Sequence, residues 1–252
     1  MDGQHLIEFV SDRVLLCVAG QTCYQLHQEC SGKISGLNTA RTQAASSVAR
    51  GSMYVLAGKD LESSSALDSV EKYDINANKW IDAGFKMFKA TNKACSVAIN
   101  CSAIFVAGGH YNWKQAYILN LDTERWTKCQ DSIRRIAGEC EAHRLEGRNG
   151  IIAAATGPFA KSMQFYDLEQ NKWEMLPKLG VGQEAKVKEV NDKLFVVAAD
   201  TDAVQTYEDG EWKIVDPSIP ETGNRARVTK VTEKFGRWLL GLSDVDWTHS
   251  CL

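Results

Sequence analysis

Apolar residues gather along this chain in short unbroken runs, each closed by a small or turn-forming residue, and not at the three-and-four spacing of amphipathic helices. The clearest example lies between Ser52 and Trp80. Met53-Tyr54-Val55-Leu56-Ala57 is apolar without alternation and stops at Gly58, as expected of a short strand covered on both faces. Polar Lys59 to Ser65 makes a loop. Ser69-Val70-Glu71-Lys72-Tyr73 then alternates small or apolar side chains with charged ones, and Asp74, Asn76 and Asn78 supply turn chemistry before Trp80 opens the next strand.

The unit recurs. Tyr73 to Trp80 aligns without gaps on Leu119 to Trp126 and on Tyr166 to Trp173, each ending in a basic residue and Trp; Tyr207 to Trp212 is a copy with two turn residues fewer. The four tryptophans therefore stand 46, 47 and 39 residues apart. Upstream of each lies an apolar run ending at Gly58, Gly109, Gly157 or Asp200, and two further runs end at Gly20 and Asp244. Six apolar strands imply six repeats.

A period of 40 to 50 residues with four short strands per repeat predicts an all-β, six-bladed β-propeller of four-stranded antiparallel blades. The chain resembles the Kelch family in the Gly108-Gly109 pair, the hairpin Tyr and the Trp seven residues later. Leu67 to Asp74 followed by Asn78-Lys79-Trp80 is most similar to the repeats of Kelch-like (BTB-Kelch) adaptor propellers. The expected organisation is one domain over 1–252, with blades near 1–38, 39–88, 89–136, 137–180, 181–224 and 225–252. Leu6 to Val10 is either the innermost strand of blade one or the outer strand missing from the last blade, and its tight connection to Arg13 favours the first. The last blade is then a strand short, so the ring closes through the N-terminal segment or on three strands. Gly58, Gly108, Gly109 and Gly157 are read as structural, as are Tyr73, Tyr166 and Tyr207 with Trp80, Trp126, Trp173 and Trp212, all four tryptophans being expected in the core.

With 252 residues, 44% of them hydrophobic, the chain can bury a large core. Its net charge of −3 gives no push toward nucleic acid or an anionic membrane, no apolar segment reaches membrane-spanning length, and the first residues carry no secretory pattern. A cytoplasmic protein is expected. The eight cysteines form no CxxC or metal-ligand cluster and are expected as reduced thiols, with a Cys23–Cys30 pair across one hairpin as the exception to watch. The five histidines are scattered without HxH or HxxxH spacing, His143 falling on an inner strand as a satisfied polar residue, and no nucleophile, phosphate-loop or dinucleotide motif occurs. No catalytic residue, metal or cofactor is assigned.

Attention falls on the loops that join the second strand of a blade to the third and one blade to the next, which in a propeller emerge on a single face. They carry Arg41, Tyr111, Trp113, Arg134, Arg135, Phe159, Arg225 and Arg227. In Kelch-like adaptors, arginines near such positions bind acidic peptides. The resemblance thus implies a protein-interaction module with an acidic partner segment, as in ligase adaptors or actin-associated Kelch proteins. A solvated charge or a brace to the neighbouring blade is the plainer role for each arginine. The alternative is an enzyme or binding protein taking a sugar-like small molecule in the propeller mouth, as Kelch-fold galactose oxidase and a sialic acid epimerase show.

Overall fold

The computed structural model describes residues 6–10, 13–18, 22–27, 31–155, 161–180, 185–190, 193–198 and 203–215. All regular structure among them is β-strand, and no helix is long and apolar enough to cross a membrane. The residues form two compact units, one drawing on Met1–Asn112 and Ala116–Lys128, the other on Trp113–Gln115 and Cys129–Ser243.

In the first unit, β1 (Leu6–Val10), β2 (Arg13–Val18), β3 (Thr22–His27) and β4 (Ser31–Ile34) form an antiparallel sheet in chain order. β1 pairs with β2, from Leu6 opposite Cys17 to Val10 opposite Arg13, so the N-terminal strand belongs to the first sheet. After the two-residue β5 (Arg41–Thr42) come β6 (Ala45–Ala49) and β7 (Ser52–Leu56), then β8 (Lys59–Asp60), which pairs back onto β5. β9 (Leu67–Asp74) and β10 (Lys79–Thr91) complete a second four-stranded sheet on β6 and β7. A third sheet is β11 (Ala94–Asn100), β12 (Ala103–Gly108), β13 (Ala116–Asn120) and β14 (Arg125–Lys128).

The second unit repeats the plan twice. β15 (Ile136–Leu145), β16 (Arg148–Ala155), β17 (Met163–Asp167) and β18 (Lys172–Met175) make one sheet, and β19 (Ala185–Val190), β20 (Lys193–Ala198), β21 (Val204–Glu208) and β22 (Glu211–Ile214) the next. Five four-stranded sheets thus stand among the described residues. The expected sixth repeat, 225–252, lies outside them.

Strand β7 shows why the apolar runs lack alternation. Its side chains point alternately to the two faces of the sheet, and both faces are covered. Met53 and Val55 pack with Cys23, Ile34, Leu37, Tyr73 and Trp80, while Tyr54 and Leu56 pack with Ile104, Val106 and Leu119 of the third sheet. In the second unit Ile152, Ala154, Met163 and Phe165 meet Val187, Leu194, Val196 and Trp212 in the same way.

The repeated hairpin has a common chemistry. Asp74, Asn120 and Asp167 each use one side-chain oxygen to accept two backbone N–H groups two and three residues on, at 2.8–3.0 Å. This local capture fixes the turn. The residue before the basic position takes a left-handed conformation, with φ of 48° at Asn78, 55° at Glu124 and 51° at Asn171. Where it is Asn, its side-chain oxygen also receives the hairpin tyrosine hydroxyl, 2.8 Å from Tyr73 and 2.7 Å from Tyr166.

Each tryptophan fastens its hairpin to the segment of chain that precedes its sheet. The indole N–H of Trp80 donates to Ser35 O at 3.0 Å, that of Trp126 to Lys86 O at 2.9 Å, that of Trp173 to Gln130 O at 2.8 Å and that of Trp212 to Pro177 O at 2.9 Å. Trp80, Trp173 and Trp212 are buried against Tyr73, Tyr166 and Tyr207 with ring centroids 5.0–5.3 Å apart. The expectation of four buried tryptophans needs correction at Trp126, which is only partly buried. Its cross-strand partner is Leu119, and Phe88 meets it edge-on at 5.9 Å in place of the missing tyrosine.

Candidate functional site

Within each unit the two classes of loop are tied together by backbone hydrogen bonds. In the first unit Leu61 N–H donates to Ala40 O at 3.0 Å and His110 N–H to Asn92 O at 2.7 Å. In the second, Ser132 N–H donates to Lys114 O at 2.7 Å, Ile136 N–H to Trp113 O at 2.7 Å and Leu179 N–H to Lys161 O at 3.0 Å. Each bond joins a loop between the second and third strands of a sheet to a crossover between sheets or, at Ile136, to the first residue of the strand that follows it. Gly109 makes this proximity possible at His110: with φ of 92°, a Cβ there would stand 2.4 Å from Thr91 Oγ1 and 2.9 Å from Asn92 O. The adjoining Gly58 and Gly108 also have positive φ, at 106° and 71°.

Trp113 and Arg135 meet in the second unit. The Arg135 guanidinium lies 5.8 Å from the centroid of the half-buried Trp113 ring, and Arg135 itself is exposed. A guanidinium held over an indole face is attracted by the ring's negative quadrupole while its N–H fork stays open to solvent. Arg134 is half-exposed, and Lys114 and Ile133 beside it are exposed, against the single carboxylate of Asp131 in the same two loops.

The backbone under these residues is fixed by a side chain that reading the sequence for loop charges passes over. Gln164, on β17 and fully buried, accepts from Arg134 N–H at 2.7 Å and donates its amide to Arg134 O at 3.3 Å. Gln205, in the same place before Tyr207, accepts from Gly180 N–H at 2.9 Å. Glu71, two residues before Tyr73, accepts from the N–H groups of Asn38 and Thr39 at 2.7 and 3.0 Å. The signal was present in the sequence as a long polar side chain at an inward-facing strand position two residues before the hairpin Tyr.

Arg41 is a correction. It does not face a partner: its side chain is fully buried, 2.6 Å from the Glu71 carboxylate, and also donates to Ala57 O and Ser69 O. Glu71 explains this, because a buried carboxylate needs a cation, whereas the neutral amides of Gln164 and Gln205 do not. Burial pulls the Arg41 guanidinium below its usual value, with the Glu71 charge opposing. Tyr111, in the first unit, is 71% exposed at a φ of 76° with its ring edge-on to His110 at 4.2 Å. Strain of this kind, roughly 1–3 kcal/mol for a non-glycine residue, points to a position held for a purpose. Phe159, Arg225, Arg227 and Gly157 lie outside the described residues.

The thiol expectation also changes. Cys23 is disulfide-bonded, while Cys95, Cys101, Cys129 and Cys140 are reduced thiols. Burial raises the Cys129 thiol, with the Tyr166 hydroxyl beside it acting in the other direction. His143, as expected, is a satisfied inner-strand residue, its Nδ1–H donating to Glu189 Oε2 at 2.5 Å. Among the described residues no group of three or more His, Cys, Asp or Glu side chains is placed to hold a metal ion.

The Kelch motif family matches residues 40–84, the second sheet with its crossover. The chain also superposes on the solved structure of YjhT with a TM-score of 0.66 at 16% identity, over 77% of this chain and 72% of that one. The fold is of the β-propeller kind, with a Kelch motif in its second sheet. No curated protein matches the chain by sequence. In propeller terms each sheet is a blade, and within the second unit the tied loops carry Arg135 and Trp113.

Proposed function

We propose that this Kelch-repeat chain is a protein-interaction module that takes an acidic segment of a partner on the loops around Arg135. The observation that carries the reading is the exposed Arg135 guanidinium braced on Trp113. Aromatic and arginine side chains dominate interface hot spots, and a guanidinium with its fork outward grips a carboxylate through two parallel N–H bonds. Lys114 and Arg134 add positive charge on the same two loops, so encounter with an acidic chain is favoured and weakens with salt. Exposed Ile133 supplies an apolar contact next to the charges.

The binding edge is rigid before any partner arrives. Gln164 clasps the backbone of Arg134 from below, and Ser132 Oγ donates to Arg134 O at 2.7 Å. A preorganised loop loses little entropy on binding. The test is affinity capture from extract with the parent chain and with Arg135→Glu: loss of partners rich in Asp and Glu supports the reading, and an unchanged partner set rejects it.

A further inference from the structure

The chain contains four Ser or Thr residues with an acidic residue three positions later: Ser65 with Asp68, Thr206 with Asp209, Ser218 with Glu221 and Ser243 with Asp246. Two of these lie among the described residues, and the fold separates them sharply. Thr206 is buried in β21, its hydroxyl donating to Leu194 O at 3.0 Å. Ser65 is exposed in the loop between β8 and β9.

The surroundings of Ser65 suit a protein kinase that selects acidic substrates. Between Asp60 and Glu71 the chain has no Lys or Arg, and Glu62 stands three positions before Ser65 as Asp68 stands three after. From Ser65 onward the backbone is already extended: Ala66 bridges to Lys59, Leu67 N–H donates to Gly58 O at 2.8 Å, and Leu67 and Asp68 open β9. The Asp68 side chain is 42% exposed, and its one described ion pair is a solvent-open contact with Lys86 at 3.3 Å, easily exchanged for a kinase's basic pocket. Ser63 and Ser64 are exposed too, but Ala66 and Leu67 follow them at the third position. Ser63 is further committed, its hydroxyl accepting from Ser65 N–H and its own N–H capping Asp60.

We propose that Ser65 is a phosphorylation site for an acid-directed serine kinase using ATP. The Ser65 hydroxyl oxygen bonds to the γ-phosphorus as the bond from that phosphorus to the bridging oxygen breaks; ADP leaves, and the hydroxyl proton passes to the kinase's catalytic carboxylate. The product places a group of nearly two negative charges in a loop already holding Asp60 and Glu62, so the modification repels anionic chains from this loop and strains the turn around Asp60.

The experiment treats the purified full chain with an acid-directed serine kinase and ATP and maps the phosphopeptides by mass spectrometry. One phosphoryl group on the Ser65 peptide is expected, absent in Ser65→Ala and strongly reduced in Asp68→Asn with the circular dichroism spectrum unchanged. Thr206 should stay unmodified in the folded chain. A Ser65 peptide left unmodified while a control acidic peptide is phosphorylated overturns the proposal, as does Asp68→Asn modified as fast as the parent.

Discussion

Glu71 and Arg41 form a fully desolvated ion pair, 2.6 Å apart, and the same carboxylate caps the N–H groups of Asn38 and Thr39 in the crossover from the first blade. Removing one member of such a pair leaves a buried charge without its partner, at a cost of about 3–5 kcal/mol. Glu71→Ala should lower the unfolding free energy by that much in a denaturant titration. The double variant Glu71→Gln with Arg41→Leu should lose clearly less than the two single losses added, since it reproduces the neutral arrangement at Gln164 and Gln205. Strict additivity would mean that the two side chains do not interact.

The tryptophans should not be equivalent. Trp173 is 4% exposed and packs on Tyr166, so Trp173→Ala should cost about 3–5 kcal/mol. Trp126 is partly buried and faces Leu119, and its truncation should cost markedly less. Thermal melts of the two variants decide this, and equal losses would contradict the packing described.

That difference shows what the sequence could and could not convey. The hairpin was legible because Asp74, Asn78 and Trp80 act locally, through turn bonds and a φ that Asn tolerates. Trp126 looked the same in the linear pattern, but its burial depends on Phe88, which reaches it from the preceding blade. Arg41 was misread for a similar reason. A loop arginine looks exposed until the chain 30 residues on supplies Glu71 from inside a strand. Arg135 and Trp113 were each legible as loop residues, but their contact depends on two loops about 20 residues apart meeting and was not.

The Asp60 carboxyl is held below its ordinary value, chiefly by the N–H groups of Ser63 and Glu62. A depressed folded pKa means that its contribution is complete above the unfolded carboxylate value and is lost as pH falls through the folded one. The Glu62 and Ser63 amide resonances should therefore titrate below the usual Asp midpoint of roughly 3.9. A midpoint at or above it would show that the turn does not favour the ionised form.

Native-state labelling should separate the thiols. Cys101 is exposed and should react with a maleimide first, while buried Cys95, Cys129 and Cys140 should react only on unfolding. Cys23 should react only after reduction. Labelling of Cys23 in unfolded, unreduced protein would contradict the bridge.

Fluorescence anisotropy of a labelled Asp/Glu-rich peptide with the parent chain and with Arg135→Glu tests the role of the loops around Arg135 most directly. Exposed charges contribute little to stability, within about 0.5 kcal/mol, so the melting temperature should stay nearly unchanged. The parent should bind in a manner that weakens with added salt, and Arg135→Glu should lose that binding. Equal, salt-sensitive binding by parent and variant, or no binding by either, would contradict the assignment of this edge.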